Sequence, residues 1–182
     1  MDEAAHISVY LTQILESRDA RAGLQRRLIE GFSMPLACLT VNLPGPIKRD
    51  MRSALIFRQG VLAVREKLAG SIMYSTLKDN ITGPEGFFAV DMEASRLKAL
   101  AAQIEETHPL GRLMDIDVIG VDFAPVSREA LGLPQRRCLV CGRPGAACAR
   151  SRAHGLDDLN ARIGRIISSY EPERDAFDAA SP

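Results

Sequence analysis

The chain has 182 residues, of which 46% are hydrophobic and 25% are charged, and its formal net charge is zero. This length suits one domain with a substantial core, and the composition argues against disorder. The balanced charge excludes binding to nucleic acid or membranes through overall charge and leaves such binding only to a local patch.

The sequence also limits the expected compartment. No apolar run approaches the roughly 18 residues that span a bilayer. The first residues, Met-Asp-Glu-Ala-Ala-His, are acidic and lack a signal-peptide pattern. We therefore expect a cytoplasmic protein without membrane contact, whose 4 cysteines are thiols or metal ligands rather than disulfides.

Apolar spacing predicts N-terminal helices within residues 7–32, with a break at Ser17, where the hydroxyl could cap a second helix. Arg18 and Arg21 would then lie one turn apart on one face. They could bind an anion, but a solvated basic face that pairs with nearby acids is the more common use of such residues.

A strand, a turn and a helix follow. Residues 35–43 predict a strand buried on both faces, with Cys38 as a small core residue. The turn at residues 44–46 and Lys48 lead into a helix over residues 49–68. A lysine beside a helix start suits an anion, but the turn lacks the glycine spacing of a P-loop. An anion site and a plain strand-to-helix turn both remain open.

The centre of the chain predicts a pair of short strands. These strands cover residues 72–77 and 87–90, and the residues between them, including 79–80 and 83–86, are typical of turns. Helical spacing returns after residue 92, and we expect a polar outer face on this helix that includes Lys98 and Glu105.

The last predicted strand defines the fold class. The helix ends before His108, which precedes a proline, and a strand covers about residues 113–121. The order strand, helix, strand, strand, helix, strand is the split β-α-β unit of ferredoxin-like α+β domains. In that arrangement we expect the first and last strands side by side at the centre of the sheet.

Two aspartates, Asp115 and Asp117, alternate with Met114, Ile116 and Val118 in this strand. Side chains alternate between the two faces of a strand, so the carboxylates share one face and the apolar residues share the other. Carboxylates on the same face repel each other, and a chain tolerates them when a cation such as Mg²⁺ lies between them. The alternative is an edge strand with a solvated acidic face.

The segment from Arg136 to Arg165 is basic, with 7 arginines against two aspartates. Its potential metal ligands are Cys138, Cys141, Cys148 and His154. These residue types could close a structural zinc site, but in one continuous helix Cys148 and His154 would point roughly 240° apart. A break between them would remove that obstacle. A redox-active dithiol, or plain thiols beside a phosphate-facing histidine, are the other interpretations.

We expect a single catalytic domain over residues 1–182. Its parts are N-terminal helices at 1–32, a β-α-β-β-α-β core at 33–122, a basic Cys/His segment with a helix at 136–170, and a frayed tail at 171–182.

Five motifs in the correct order carry a family resemblance over most of the chain. They are Ser17-Arg18-Asp19, Pro44-Gly45-Pro46-Ile47-Lys48, Gly83-Pro84-Glu85-Gly86, the run from His108 to Val118, and Arg136-Arg137-Cys138 with Cys141, Cys148 and His154. Together they resemble the citrate lyase holo-acyl-carrier-protein synthases, also described as apo-citrate lyase phosphoribosyl-dephospho-CoA transferases. Met114 stands where this family most often has tryptophan, a difference that we expect to be harmless on the apolar face.

The resemblance implies an enzyme that attaches 2′-(5″-triphosphoribosyl)-3′-dephospho-CoA to a serine of the apo acyl carrier subunit of citrate lyase, with diphosphate leaving. Such a nucleotidyl-type transfer requires charge neutralisation and positioning of the serine oxygen. Asp115 and Asp117 would bind Mg²⁺. Further catalytic candidates are Arg112, His108 and Glu85, and substrate-binding candidates are Lys48, Gly83, Gly86, Arg128, Arg136 and Arg137.

Alternatives remain for two residues and for the function. Glu85 could be an ordinary turn residue, and His108 could end its helix with its ring satisfied by the backbone. A rival function is a zinc-stabilised module that binds nucleic acid or an acidic protein through the basic segment, although 5% aromatic residues and no tryptophan argue against nucleic acid. Another is a synthase for the carrier subunit of a related enzyme, such as malonate decarboxylase.

Overall fold

The computed structural model describes residues 10–170, so the predicted helix start at Ile7 and the predicted frayed tail from Glu171 lie outside the described part. The elements in chain order are α1 Leu11–Phe32, β1 Leu36–Val41, α2 Met51–Lys67, β2 Ile72–Asn80, β3 Gly83–Val90, α3 Ala94–Thr107, β4 Met114–Ile119, α4 Gly145–Ser151 and α5 Leu156–Ser168. Within residues 10–170, no helix is both long enough and apolar enough to cross a bilayer.

The first helix runs without a break through Ser17, so the predicted division into two N-terminal helices is wrong. The Ser17 Oγ lies 2.7 Å from the Oγ1 of Thr82 in the turn between β2 and β3. Because this hydroxyl bonds to a residue distant in sequence, it does not compete for the backbone groups of its own helix.

The four strands form an antiparallel sheet in the order β2-β3-β1-β4. The mixed fold with a four-stranded sheet is confirmed, and β1 and β4 are neighbours as predicted. However, β4 lies at the edge and only β1 belongs to the centre, together with β3. The prediction that both strands are central is wrong for β4.

The β2–β3 hairpin is longer than its turn-like residues predict. Gly83 to Gly86 belong to β3 rather than to a turn, and they are buried. Gly86 pairs with Leu39 of β1 and with Leu77 of β2, and a Cβ at Gly86 would lie only 3.1 Å from the ring of Phe88. The missing side chain therefore serves close packing inside the sheet instead of a turn.

Helices cover the two faces of the sheet unequally. On one face α2 and α3 bury a large apolar cluster that includes Leu39, Ile56 and Ile116. On the other face α1 packs against a smaller cluster around Cys38 and Phe87. The next cross-strand row on the α1 face is polar, because Asp115 of β4 is opposite Thr40 of β1, which is opposite Glu85 of β3.

Candidate active site

The two aspartates of β4 share one face of the sheet, as predicted. Asp115 is opposite Thr40 and Asp117 is opposite Cys38 in the register with β1. Met114, Ile116 and Val118 point to the other face and are buried in the core. The strand thus fixes both carboxylates on the α1 face, with Asp115 in the polar row.

Buried polar side chains of α3 hold the residue between the aspartates. The Lys98 Nζ donates to the Ile116 carbonyl at 2.8 Å, and the Ile116 N–H donates to the Glu105 Oε1 at 2.8 Å. Lys98 and Glu105 are buried, so the prediction that they face solvent is wrong. They are buried because β4 is an edge strand whose outward backbone groups need partners.

The two aspartates differ in their electrostatic surroundings. The Asp115 carboxylate accepts a hydrogen bond from the Arg136 Nη1 at 2.7 Å. Partial desolvation, followed by the nearby charge of Asp115, raises the pKa of the Asp117 carboxyl. A cation beside Asp117 would relieve this repulsion.

Arg136 connects the basic segment to the start of β4. Besides the bond to Asp115, its Nη2 donates to the Met114 carbonyl at 2.7 Å and to the Arg112 carbonyl at 3.2 Å. Its Nη1 also lies 3.5 Å from the Glu105 carboxylate. The guanidinium therefore both neutralises Asp115 and holds the backbone on which that aspartate is mounted.

A cavity of about 1090 Å³ adjoins Asp115. Of the predicted catalytic and substrate-binding residues, it brings together Asp115, Arg112, Arg136 and Arg137. Arg112 donates to the Arg137 carbonyl, and burial followed by the charges of Arg136 and Arg128 lowers the pKa of Arg112. The cavity is large enough for a nucleotide-sized ligand, and its arginines suit phosphate groups. Its remaining lining residues include Asn42, Pro44, Gly45, Cys138, Cys148 and His154.

Glu85 lies at a different cavity of about 690 Å³, between α1 and the β2–β3 hairpin. Glu85 is a buried residue of β3, so the alternative that it is an ordinary turn residue is wrong. Its Oε1 is 2.5 Å from the Arg21 Nη2, and its Oε2 accepts from the Asn80 Nδ2 at 3.0 Å. Arg21 thus pairs with an acidic residue. This agrees with the more common of the two uses considered for it, pairing with nearby acids rather than binding an anion.

Lys48 and the two glycines lie outside both cavities. The Lys48 ammonium donates to the Leu43 carbonyl, and burial lowers its pKa. Gly83 has φ +109°, and a Cβ there would lie 3.2 Å from the Lys48 carbonyl oxygen. In the structure Gly83 and Gly86 therefore allow close backbone and core packing around the hairpin.

Arg128 and His108 also have contacts with the protein itself. Arg128 is clamped between Glu105 at 2.5 Å and Glu106 at 2.6 Å. The His108 Nδ1 accepts a hydrogen bond from the Leu110 N–H at 3.0 Å, so the structure contains the backbone-satisfied histidine foreseen as an alternative. Desolvation lowers the pKa of this histidine.

The Cys/His segment folds into a compact cluster. The ligand atoms of Cys138, Cys141, Cys148 and His154 all lie within 4.8 Å of one another. This is possible because α4 ends at Ser151, before His154, so Cys148 and His154 do not share one helix. The helix break between Cys148 and His154, which the sequence interpretation required for a metal site, is therefore present. A hydrogen bond from the Arg143 side chain lowers the pKa of the Cys141 thiol to about 5.

Comparison with known proteins shows one family over most of the chain. Residues 9–170 match the family described as apo-citrate lyase phosphoribosyl-dephospho-CoA transferase. The chain belongs to this family. A relative named probable apo-citrate lyase phosphoribosyl-dephospho-CoA transferase, from Vibrio cholerae serotype O1 (strain M66-2), is 38% identical over 174 residues, which is 93% of this chain and 98% of the relative.

Two further relatives extend the comparison to other bacteria. The apo-citrate lyase phosphoribosyl-dephospho-CoA transferase of Citrobacter koseri is 38% identical over 169 residues, covering 91% of this chain and 92% of the relative. The protein of the same name from Escherichia coli O1:K1 is 36% identical over 171 residues, covering 92% and 93%. The family resemblance inferred from five motifs is therefore confirmed over nearly the whole chain.

The sequence did not predict that Lys98 and Glu105 contact the backbone between the β4 aspartates. A signal for them exists, because a spacing of seven residues returns a helix to the same face. That face also carries the buried Ala101 and Ala102. The small size of these alanines leaves room beside them for the long polar side chains.

Proposed function

We propose that this chain transfers the phosphoribosyl-dephospho-CoA group from its triphosphate donor to a serine of the apo acyl carrier subunit of citrate lyase. Family membership over residues 9–170 supports the substrate class. The structural observation that carries the proposal is the ion pair of Asp115 with Arg136 at the wall of a large arginine-lined cavity. A triphosphate bound there would contact cationic donors beside the Asp115 carboxylate, which could bind a cation.

The proposed step is a displacement at phosphorus. The serine oxygen forms a bond to the phosphorus of the donor, the bond from that phosphorus to diphosphate breaks, and the serine proton is released. Arg112, Arg136 and Arg137 would bind the phosphate oxygens and balance the charge that accumulates on the departing diphosphate. The cavity wall would hold the donor in line with the incoming hydroxyl.

The aspartates fit a divalent cation by their chemistry. Carboxylate oxygens are the ligands that Mg²⁺ prefers, and Asp117 has a raised pKa in part because of Asp115. When bound, Mg²⁺ would neutralise phosphate charge and lower the pKa of the serine hydroxyl. In this proposal Asp117 supplies a carboxylate that no arginine or lysine pairs with in the described chain, while Arg136 orients Asp115.

The roles of all the predicted site residues stay predictions that substitution will test. Those outside the arginine-lined cavity are Asp117, Lys48, Gly83, Gly86, Glu85, Arg128 and His108. The cytoplasmic location is part of the same proposal, as is a ferredoxin-like split β-α-β fold. The strand order β2-β3-β1-β4 with antiparallel neighbours supports that fold assignment.

The direct test is the intact mass of an apo acyl carrier subunit after incubation with this protein, Mg²⁺ and the triphosphoribosyl donor. We expect the mass to rise by the prosthetic group with wild type and with the exposed-aspartate control Asp91→Ala. We expect no rise with Asp115→Ala or Asp117→Ala, although both variants remain folded by circular dichroism. Normal turnover by either variant would contradict the role of the β4 aspartates. Modification of a malonate decarboxylase carrier instead of the citrate lyase carrier would contradict the acceptor.

A further inference from the structure

The mechanism leaves one cluster of potential ligands unused. Three of its four members, Cys138, Cys148 and His154, line the same cavity as the arginines. Cys138 and Cys141 flank a tight turn in which the Cys138 N–H donates to the Arg143 carbonyl at 2.6 Å and Gly142 takes φ +72°. A turn of this kind points two cysteine side chains in the same direction. Cys148 comes from α4, and His154 comes from the bend between α4 and α5.

The separations of the ligand atoms match a tetrahedral metal site. The Sγ atoms of Cys141 and Cys148 are 3.5 Å apart, and the His154 Nε2 is 3.3 Å from the Cys141 Sγ. Zinc–sulfur and zinc–nitrogen bonds in a tetrahedron place neighbouring ligand atoms roughly 3.5–3.8 Å apart. All four ligand atoms are within 4.8 Å of one another, so small side-chain movements would complete the coordination.

We propose that Cys138, Cys141, Cys148 and His154 bind one structural zinc ion that fixes this wall of the cavity. Three sulfurs and one imidazole nitrogen form a closed set with no position left for water, which is the pattern of a structural site rather than a catalytic one. Softness of the thiolate ligands also favours zinc over magnesium, so this site is chemically distinct from the aspartates.

The cluster is linked directly to the arginines. The Gly145 N–H donates to the Arg136 carbonyl at 2.8 Å, and the Arg112 guanidinium donates to the Arg137 carbonyl. Arg162 of α5 donates to the Leu139 carbonyl, between the two cysteines of the turn, at 3.2 Å. Loss of the metal would therefore loosen the arginine-bearing backbone while leaving the core between the sheet and α2 and α3 in place. This functional consequence rests on the proposed transfer reaction, whereas metal binding itself does not.

The first experiment measures zinc per chain in dialysed full-length protein by elemental analysis. We expect close to one equivalent in wild type and in the control Cys38→Ala, whose cysteine is buried in β1 away from the cluster. We expect Cys141→Ser, a change at an exposed position, to retain only a small fraction. Less than about half an equivalent in wild type would overturn the proposal. So would equal zinc content in Cys141→Ser and wild type.

A second experiment identifies the ligands without using activity. After exchange with Co²⁺, wild type and Cys38→Ala should show thiolate-to-cobalt charge-transfer absorption and the intense visible bands of a tetrahedral site. Cys141→Ser should lose much of the charge-transfer intensity. An octahedral cobalt spectrum would overturn the proposal, as would metal-free wild type whose intact mass is lower by two hydrogens, since that result indicates a disulfide.

The consequence for the cavity is measured on chelator-treated protein. We expect removal of zinc to raise the KM for the triphosphoribosyl donor at least several-fold and zinc addition to restore it. An unchanged KM after verified zinc loss would overturn the role in the cavity wall. Because zinc content is measured without substrate, a failed transfer assay with zinc bound would contradict only the proposed function.

Discussion

Glu105 accepts a hydrogen bond from the backbone N–H of Ile116 at 2.8 Å. This buried carboxylate of α3 therefore satisfies an outward backbone group of β4, the edge strand that carries both candidate catalytic aspartates. The same carboxylate is paired with Arg128 at 2.5 Å and lies 3.5 Å from Arg136. One side chain thus links the helix, the strand and the basic segment.

Removing the Glu105 carboxylate should lower the free energy of unfolding more than a substitution on the surface does. We expect Glu105→Ala to lower the free energy of unfolding by about 3–5 kcal/mol, because it leaves the buried Ile116 N–H without its acceptor and Arg128 with only the more exposed carboxylate of Glu106. Glu105→Gln should cost less, since its amide oxygen can still accept from Ile116. Urea unfolding measures both, with Glu30→Ala on the exposed surface of α1 as the control. Equal stability of Glu105→Ala and wild type would contradict the linking role.

Replacement of each aspartate by asparagine should affect the stability of the fold differently at the two positions. The pKa of Asp117 is raised above its ordinary value of 3.8 in the folded chain, so ionising it opposes folding. Asp117→Asn should therefore be at least as stable as wild type at neutral pH. Asp115→Asn should be less stable, because Arg136 loses its charged partner.

The pH dependence follows from the same shift. Below the ordinary pKa of 3.8 the Asp117 carboxyl is protonated in both states and contributes nothing. As pH rises through the higher pKa of the folded chain, wild type loses stability relative to Asp117→Asn. Thermal unfolding of both proteins between about pH 4 and pH 7 measures this difference. A wild type that gains stability over Asp117→Asn across this range would contradict the direction of the shift.

Lys48, in the segment between β1 and α2, provides a further test. If it contacts the donor, Lys48→Ala should raise the KM for the triphosphate more than it lowers kcat, because it removes a charge from binding rather than a group from the reacting atoms. Lys67→Ala, at the exposed end of α2, is the matched control. An unchanged KM in Lys48→Ala would remove this lysine from the site and leave it as a partner of the Leu43 carbonyl.

Gly60 in α2 tests the packing of the core below the site. A Cβ at this position would lie 2.9 Å from the Leu39 Cδ2, and Leu39 is fully buried. We expect Gly60→Ala to lower stability by about 1–3 kcal/mol through overpacking, in spite of the better helix propensity of alanine. Gly164→Ala in α5, with open space around the new Cβ, should raise stability by about 0.5–1 kcal/mol. Thermal unfolding of both variants decides this comparison.

The sequence predicted the fold where periodicity and motif order agree. Alternation in β4 correctly placed Asp115 and Asp117 on one face, and five ordered motifs identified the family. Turn-like residues misled at Gly83–Gly86, because glycine and proline there serve packing inside a buried strand. Lys98 and Glu105 were misassigned for a related reason: local polarity cannot reveal an unpaired strand edge that only the assembled sheet creates.

The covered edge of β4 limits how the carrier protein can approach. Arg136 occupies the Met114 carbonyl, Lys98 occupies the Ile116 carbonyl, and the Val126 N–H donates to the Val118 carbonyl at 2.8 Å. An incoming chain therefore cannot extend the sheet by pairing with this strand, as many peptide ligands do. If the proposed transfer is correct, the acceptor serine therefore has to reach Asp115 without strand pairing to β4, and the same shielding blocks edge-to-edge association of copies of this chain through β4.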